Sequence, residues 1–374
     1  MLPIGSAAFL LFGVLLVVLG ACHSGLASSL ELDHTAFGLL GSALSAGIAV
    51  GVLVAGPLVD RYPRRPIFLA STLIVAAAVG SVATGMSLGR ALLHVAAMGL
   101  GAGIFDTLLN ALTVERWREN SVRPMAWLHA MVPVGAIATP WLVSQTGGAE
   151  QWVDFFHAIG AAFLALSAWV ALTRLPSPAS RAATGDRVGW APFLRPAFVA
   201  LCVVGLAYVG VEAALTLFAV AYSTAGLELT EAHGQRAISA MWLGILTGRL
   251  LLMLTRGSAD ARAIALSGLV AASLIAGGTW LGLPHVELLM AACGLALSGV
   301  FPLMVALAGQ LIPQAPGKAV GLVAGLGSLG GLVLPPLTGA IADATQISIA
   351  MGSLAAWCVL ISAAGLVAYR RQPS

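Results

Sequence analysis

Long apolar runs separated by short polar breaks recur along the whole chain. They fall at about residues 7–30, 36–59, 66–86, 91–113, 124–145 and 153–175, then at about 194–223, 232–254, 262–283, 286–311, 317–342 and 347–369. A helix that crosses the hydrocarbon core of a bilayer needs about 20 apolar residues, so each run has the length of one span. The pattern predicts an all-α membrane protein with twelve transmembrane helices in two pseudo-symmetric six-helix halves. The longest break, Pro176 to Pro192, carries Arg181, Asp186 and Arg187. It predicts a linker at 176–193 between an N-terminal half, 1–175, and a C-terminal half, 194–374.

Two landmarks support a repeat. Gly135-Ala136-Ile137-Ala138-Thr139-Pro140 in the fifth run matches Gly330-Gly331-Leu332-Val333-Leu334-Pro335 in the eleventh at an offset of 195, and Gly56 matches Gly248 at an offset of 192. Repeat-built transporters hold solute near the midplane between their halves and rock around it. Charge then orients the chain. Arg61, Arg64, Arg65, Arg116, Arg118, Arg123, Arg174, Arg181, Arg187, Arg195, Arg249, Arg256, Arg262, Lys318, Arg370 and Arg371 fall on one side, and only Arg90 and Arg236 on the other. Glu31, Asp33, Glu150, Asp154, Glu228, Glu231 and Glu287 gather on that other side. The positive-inside rule predicts a multi-pass protein of the plasma (inner) membrane with both termini and the linker in the cytoplasm.

Composition narrows the function. Only 9% of the 374 residues are charged and 59% are hydrophobic, against about 25% charged in soluble domains. That excludes a soluble enzyme and a nucleic-acid binder, and twelve spans leave no room for a separate soluble domain. The single lysine, Lys318, lies outside any G-x-x-x-x-G-K-[ST] loop, so ATP hydrolysis on this chain is excluded. The four cysteines stand singly in apolar stretches and read as packed free thiols. Leu19-Gly20-Ala21-Cys22 resembles a lipoprotein cleavage box, but no Lys or Arg precedes it, so a retained first span is expected. Ala296-Leu297-Ser298-Gly299 lacks the glycine and the histidine partner of an intramembrane serine protease. Met125, His129 and Met131 make an incomplete soft-metal set. No enzyme activity, cofactor or metal is expected.

The most specific local pattern is Gly56-Pro57-Leu58-Val59-Asp60-Arg61-Tyr62-Pro63-Arg64-Arg65. It resembles the helix 2–3 signature G-x-L-x-D-R-x-G-R-R/K of the major facilitator superfamily, with Pro63 at the second glycine. The resemblance implies a cytoplasmic gate made of Gly56, Asp60, Arg61, Arg64 and Arg65, with Arg249 at the counterpart turn, whose charge contacts between the halves favour the outward-open state. Gly101 to Asn110, Trp127-Leu128-His129-Ala130, Tyr208 to Glu212, Gly248-Arg249-Leu250 and Phe301-Pro302 resemble the fucose–galactose–gluconate:proton symporter branch. In that branch Asp106, Thr107 and Asn110 match an acid-Thr-x-x-Asn run, while Ala27 and Val132 stand at its helix 1 acid and helix 5 Asn.

Two acids lie deep in predicted spans, Asp106 and Glu212. Intramembrane carboxyls are costly and mark function by default, so both are candidates for proton coupling. Asn110 shares the Asp106 face at i+4. With His129, Tyr208, Trp242, His23 and Trp127 it forms the candidate substrate set. The expected activity is proton-coupled secondary transport of a small polar solute, a sugar or sugar acid, by a monomer. Its partners are a small-molecule substrate, protons and the lipid bilayer, with no nucleic acid. The alternatives are a proton-driven exporter of amphipathic compounds and a non-transporting membrane sensor.

Overall fold

The computed structural model describes residues 1–117, 122–146, 151–175, 189–254 and 260–371, which form helices and turns with no strand among them. The linker's residues 176–188 lie outside the described residues, as do Arg118, Glu150 and Arg256. The helices are α1 (Leu2–Ala21), α2 (His23–Ser29), α3 (His34–Arg61), α4 (Arg64–Gly80), α5 (Leu88–Trp117), α6 (Val122–Gln145) and α7 (Trp152–Leu172). After the linker come α8 (Pro196–Ala221), α9 (Glu231–Leu254), α10 (Ala261–Trp280), α11 (Val286–Leu297), α12 (Val300–Leu311), α13 (Pro316–Ala344) and α14 (Ile347–Arg370). Among the described residues, eleven segments are long and apolar enough to cross a membrane. The protein is therefore a multi-pass membrane protein. The predicted third span is the shorter α4, 17 residues long.

Local chemistry sets the ends. The Asp33 side chain caps α3 by accepting from Ala36 N at 2.7 Å, and Asp260 caps α10 by accepting from Arg262 N at 2.8 Å. Each satisfies one of the donors that a helix start leaves unpaired. At the other end of α3, Tyr62 is extended (φ −115°, ψ 158°), as the residue before Pro63 must be to avoid the pyrrolidine ring. Two predicted single helices are broken. The first bends at Cys22 between α1 and α2, and the tenth breaks at Ser298-Gly299 between α11 and α12. Both breaks lie inside long apolar runs, at Cys22-His23-Ser24 and Ser298-Gly299, where mean hydropathy carries no signal of backbone direction.

The same packing occurs twice. α1 packs on α6, α3 on α5 and α4 on α7; further along, α8 packs on α13, α9 on α11 and α10 on α14. The backbone repeats at residue level. The described non-glycine residues with positive φ are Glu31 (53°) and Glu228 (55°), and the glycines are Gly85 (71°) and Gly282 (56°). Within each pair the positions differ by 197 (228 − 31 and 282 − 85). Close approach repeats as well. A methyl group on Gly47 would collide with the Ala96 carbonyl oxygen, and one on Gly99 with that of Leu44. Gly244 against Ala291 and Gly294 against Met241 reproduce this reciprocal contact between α9 and α11.

Where the first set of helices meets the second, α3 packs on α13, α6 on α9 and α1 on α8. We call the two ends of the bundle acidic and arginine-rich after their loops. Near the acidic end, the Asp343 carboxylate on α13 accepts from His34 N (3.0 Å), Thr35 N (2.8 Å) and Thr35 Oγ1 (2.5 Å) at the start of α3. Two turns further along α3, Ser42 Oγ donates to the Leu332 carbonyl at 2.6 Å. That carbonyl is available because Pro336, four residues on, has no N–H to offer it. Gln235 Nε2 on α9 donates to the Ala21 carbonyl (3.1 Å), and Ser239 Oγ donates to that of Ile137 (2.8 Å). Toward the arginine-rich end α3 and α13 part. Gly38 meets the backbone of Pro335 and Pro336, whereas Gly56 has nothing around it. Those glycines are 18 residues apart, five full turns, and so share one face.

Candidate functional site

The parting helices leave a cavity of about 150 Å³ lined by Leu16 and Leu19 of α1, Leu44, Ser45 and Ile48 of α3, Val209, Glu212, Thr216 and Leu217 of α8, Trp242 of α9, and Ser328 and Pro335 of α13. Its walls are mostly apolar, with a few polar groups to fix orientation, as ligand pockets are built. Gly41 also lines it, where α3 crowds Leu217 and Pro335 too closely to admit a larger residue.

Both intramembrane acids are engaged. Asn110 Nδ2 donates to Asp106 Oδ1 at 3.1 Å, and His129 Nε2 lies 3.1 Å from Asn110 Oδ1. The i,i+4 spacing stacks Asp106 and Asn110 on one face of α5, and α6 brings the imidazole to them. Phe9 of α1 meets that imidazole edge-on at 4.9 Å. On the other side of the bundle, the Tyr208 hydroxyl donates to Glu212 Oε2 one helical turn away. Arg249 of α9 lies within electrostatic reach of Glu212, Tyr208 and His129. It ties the α8 carboxyl to the α5–α6 chain through the middle of the bundle.

The remaining expected residues fall in three places. Trp242 is buried, 4% exposed, and lines the cavity. Trp127 is 56% exposed and its Nε1 donates to Ser6 Oγ at 3.0 Å, a tie between α6 and α1 away from the cavity lining. His23 sits at the α1–α2 bend, packed on Phe37 at 4.1 Å between ring centroids and near His34 and Phe218. It belongs to the acidic end.

The expected gate residues are also dispersed. Gly56 faces open space, Arg61 is exposed, and the Asp60 side chain lies outside the described residues. Arg64 is buried and donates to Glu115 of α5 through its two terminal guanidinium nitrogens, the Nη2 contact at 2.7 Å. Arg65 donates to the Ala171 carbonyl of α7. Both arginines thus bind helices of their own set. Arg249, expected at the counterpart turn, is placed with Glu212 instead. In an α-helix a residue near the end can still point inward, and linear position alone does not reveal which.

Sequence reasoning passed over Thr216 and Asp343. Thr216 follows Glu212 by four residues, a spacing that could have been read as a shared face. Asp343 closes an apolar run on the acidic side, where it was indistinguishable from a solvated loop acid.

Comparison with known proteins gives a consistent result. The family described as Major Facilitator Superfamily matches residues 4–286. The gentisate transporter of Corynebacterium glutamicum is 26% identical over 364 residues, covering 88% of this chain and 78% of that protein. The cyanate transport protein CynX of Escherichia coli is 27% identical over 292 residues, covering 74% and 73%. Among solved structures, the D-xylose-proton symporter aligns with a TM-score of 0.80 at 14% identity, covering 100% of this chain and 97% of that one.

Proposed function

Because the chain belongs to the major facilitator superfamily, a family of membrane transporters for small solutes rather than enzymes, we propose that it is a proton-coupled secondary transporter working by alternating access. In this reading the spans number twelve, in halves 1–175 and 194–374 joined by 176–193. α4, about 25 Å long at 1.5 Å per residue, serves as the third. The paired packing, the 197-residue spacing of positive-φ residues and the duplicated glycine contacts support two halves. The arginine-rich end is the cytoplasmic one, and the membrane is the plasma membrane. The solute is small and polar, a sugar or sugar acid, as the Asp106-Thr107-x-x-Asn110 run suggests.

One observation carries the reading. Two carboxyls sit mid-span: Glu212 lines the cavity within electrostatic reach of Arg249, and Asp106 is joined through Asn110 to His129, which Arg249 also reaches. A charge so placed gains from water on one side only when the bundle opens there, which links its proton to the side of access. The gate residues fit the same picture. The signature's contacts between halves belong to the outward-open state, and here Arg64 and Arg65 bind within their own half while α3 and α13 part.

The test is flux into proteoliposomes under an imposed pH gradient. Inward-directed protons should drive solute accumulation, and Glu212→Gln should abolish accumulation while solute exchange continues. Asp106→Asn should do the same if the first half carries the proton. Efflux down the same gradient would favour proton-driven export, and binding without flux a sensor. Normal accumulation by both neutral variants contradicts coupling through these carboxyls.

A further inference from the structure

We propose that the solute held in this cavity is a carboxylate with a compact apolar body, bound through hydrogen-bond donors from the second half of the chain. The inference rests on the transport reading of the same site and, for its substrate class, sets an apolar-bodied carboxylate against the sugar or sugar acid.

Two buried side chains lining the cavity have polar atoms with no partner, Trp242 Nε1 and Thr216 Oγ1, on residues only 4% and 3% exposed. Arg249 Nε is buried and unpartnered too. It lies seven residues from Trp242, two turns along one face of α9. An indole N–H and a guanidinium N–H can only donate, and a hydroxyl can donate as well. A buried donor left unpaired is costly; the two in the cavity wall, with the Arg249 charge two turns along α9 from Trp242, call for an occupant rich in acceptors. The carboxyl lining the cavity, Glu212, is already receiving the Tyr208 hydroxyl, and Ser328 Oγ is spent on the Ala324 carbonyl at 3.3 Å. The unmet need is for oxygen lone pairs close to a positive charge. A carboxylate supplies both, and it pairs with a guanidinium better than any neutral acceptor does.

The rest of the wall selects the body. Leu16, Leu19, Leu44, Ile48, Val209, Leu217 and Pro335 offer no side-chain acceptor, which leaves the several hydroxyl donors of a neutral sugar the oxygens of Ser45, Glu212, Thr216 and Ser328. An aromatic or alicyclic ring would instead cover apolar surface. Charge follows from this. With a carboxylate beside Arg249, a second negative charge on Glu212 is opposed by like-charge repulsion, so solute binding favours the protonated form of Glu212.

Binding to the purified full-length protein, measured by calorimetry, tests the assignment. The probes are benzoate, cyclohexanecarboxylate and D-gluconate, with benzamide and D-galactose as neutral counterparts. Benzoate should bind at least about tenfold more tightly than benzamide, and Trp242→Phe, which keeps the ring and removes the N–H, should weaken benzoate by about tenfold, the value of one such hydrogen bond. Thr216→Val offers a second, smaller deletion should the tryptophan variant not fold. Equal affinity for benzoate and benzamide, binding of D-galactose alone, or binding by none of the three carboxylates overturns the proposal. Flux separates this failure from that of the transport reading. Benzoate binding without flux keeps the carboxylate site and removes the transporter, whereas accumulation of D-galactose with no carboxylate binding does the reverse.

Discussion

α3 meets α13 at one end of the bundle and leaves it at the other. At the acidic end Gly38 abuts the Pro335–Pro336 backbone and Asp343 receives three hydrogen bonds from the first residues of α3. Five turns away, a methyl group on Gly56, on the same face of α3, would meet nothing within 4 Å among the described residues, nor would one on Gly317 or Gly321 of α13. The two ends also use charge differently. The acidic-end carboxylate bonds across the interface between the sets. The arginines at the other end bond inward, Arg64 to Glu115 and Arg65 to the Ala171 carbonyl. Charges spent within one set stabilise that set and leave its partner free to move. Charges spent across the interface hold a state.

Substitutions can break this contrast from either side. Gly38→Ala should have the largest effect, because its methyl would run into rigid proline backbone. Overpacking of this kind costs about 2–3 kcal/mol. Gly56→Ala, with open space around it, should leave the melting temperature in detergent unchanged; equal losses at both sites would mean that the helices do not diverge. Glu115→Gln comes next. It leaves the buried Arg64 without its counter-charge, at about 2 kcal/mol once the partial exposure of Glu115 is allowed for. The cost should appear as lower thermal stability with no change in the side from which a cysteine at Ser45 is labelled.

Asp343→Asn should cost less but act on the conformational equilibrium. A charge-assisted acceptor is worth about 1.5 kcal/mol, a roughly tenfold shift in population, so labelling at Ser45 from the acidic side should rise by about that factor. Asp33→Ala is the smallest change and the sharpest control. Asp33 caps the same helix start from within its own set, so its loss should lower stability by about 1 kcal/mol and leave sidedness alone. If both aspartates change sidedness equally, the capping of α3 matters and the crossing bond does not.

Hydropathy made the spans legible because a bilayer imposes one length on every helix. The offset of 195 between Gly135 and Gly330 lies close to the 197 that separates Glu31 from Glu228. Asp106 with Asn110 and Tyr208 with Glu212 were readable because the i,i+4 relation is local. What stayed hidden depends on helices far apart in sequence. Arg249 looked like a loop charge until α9 was placed beside α8, and Asp343 looked solvated until α13 met the start of α3. The breaks at Cys22 and Ser298-Gly299 were invisible because apolar sequence can hold either a straight or a broken helix in protein surroundings.

The bundle is closed at its acidic end, where Asp343 bonds across the interface, and parts toward its arginine-rich end. Spin-label distances in nanodiscs test it most directly, with one label pair at Ser28 and Gln346 and another at Gly56 and Gly321. The account predicts a short, narrow distance for the first pair and a long one for the second, and predicts that Asp343→Asn lengthens the first while shortening the second. A short Gly56–Gly321 distance in the unmodified protein, or both pairs moving in the same direction in the variant, would contradict it.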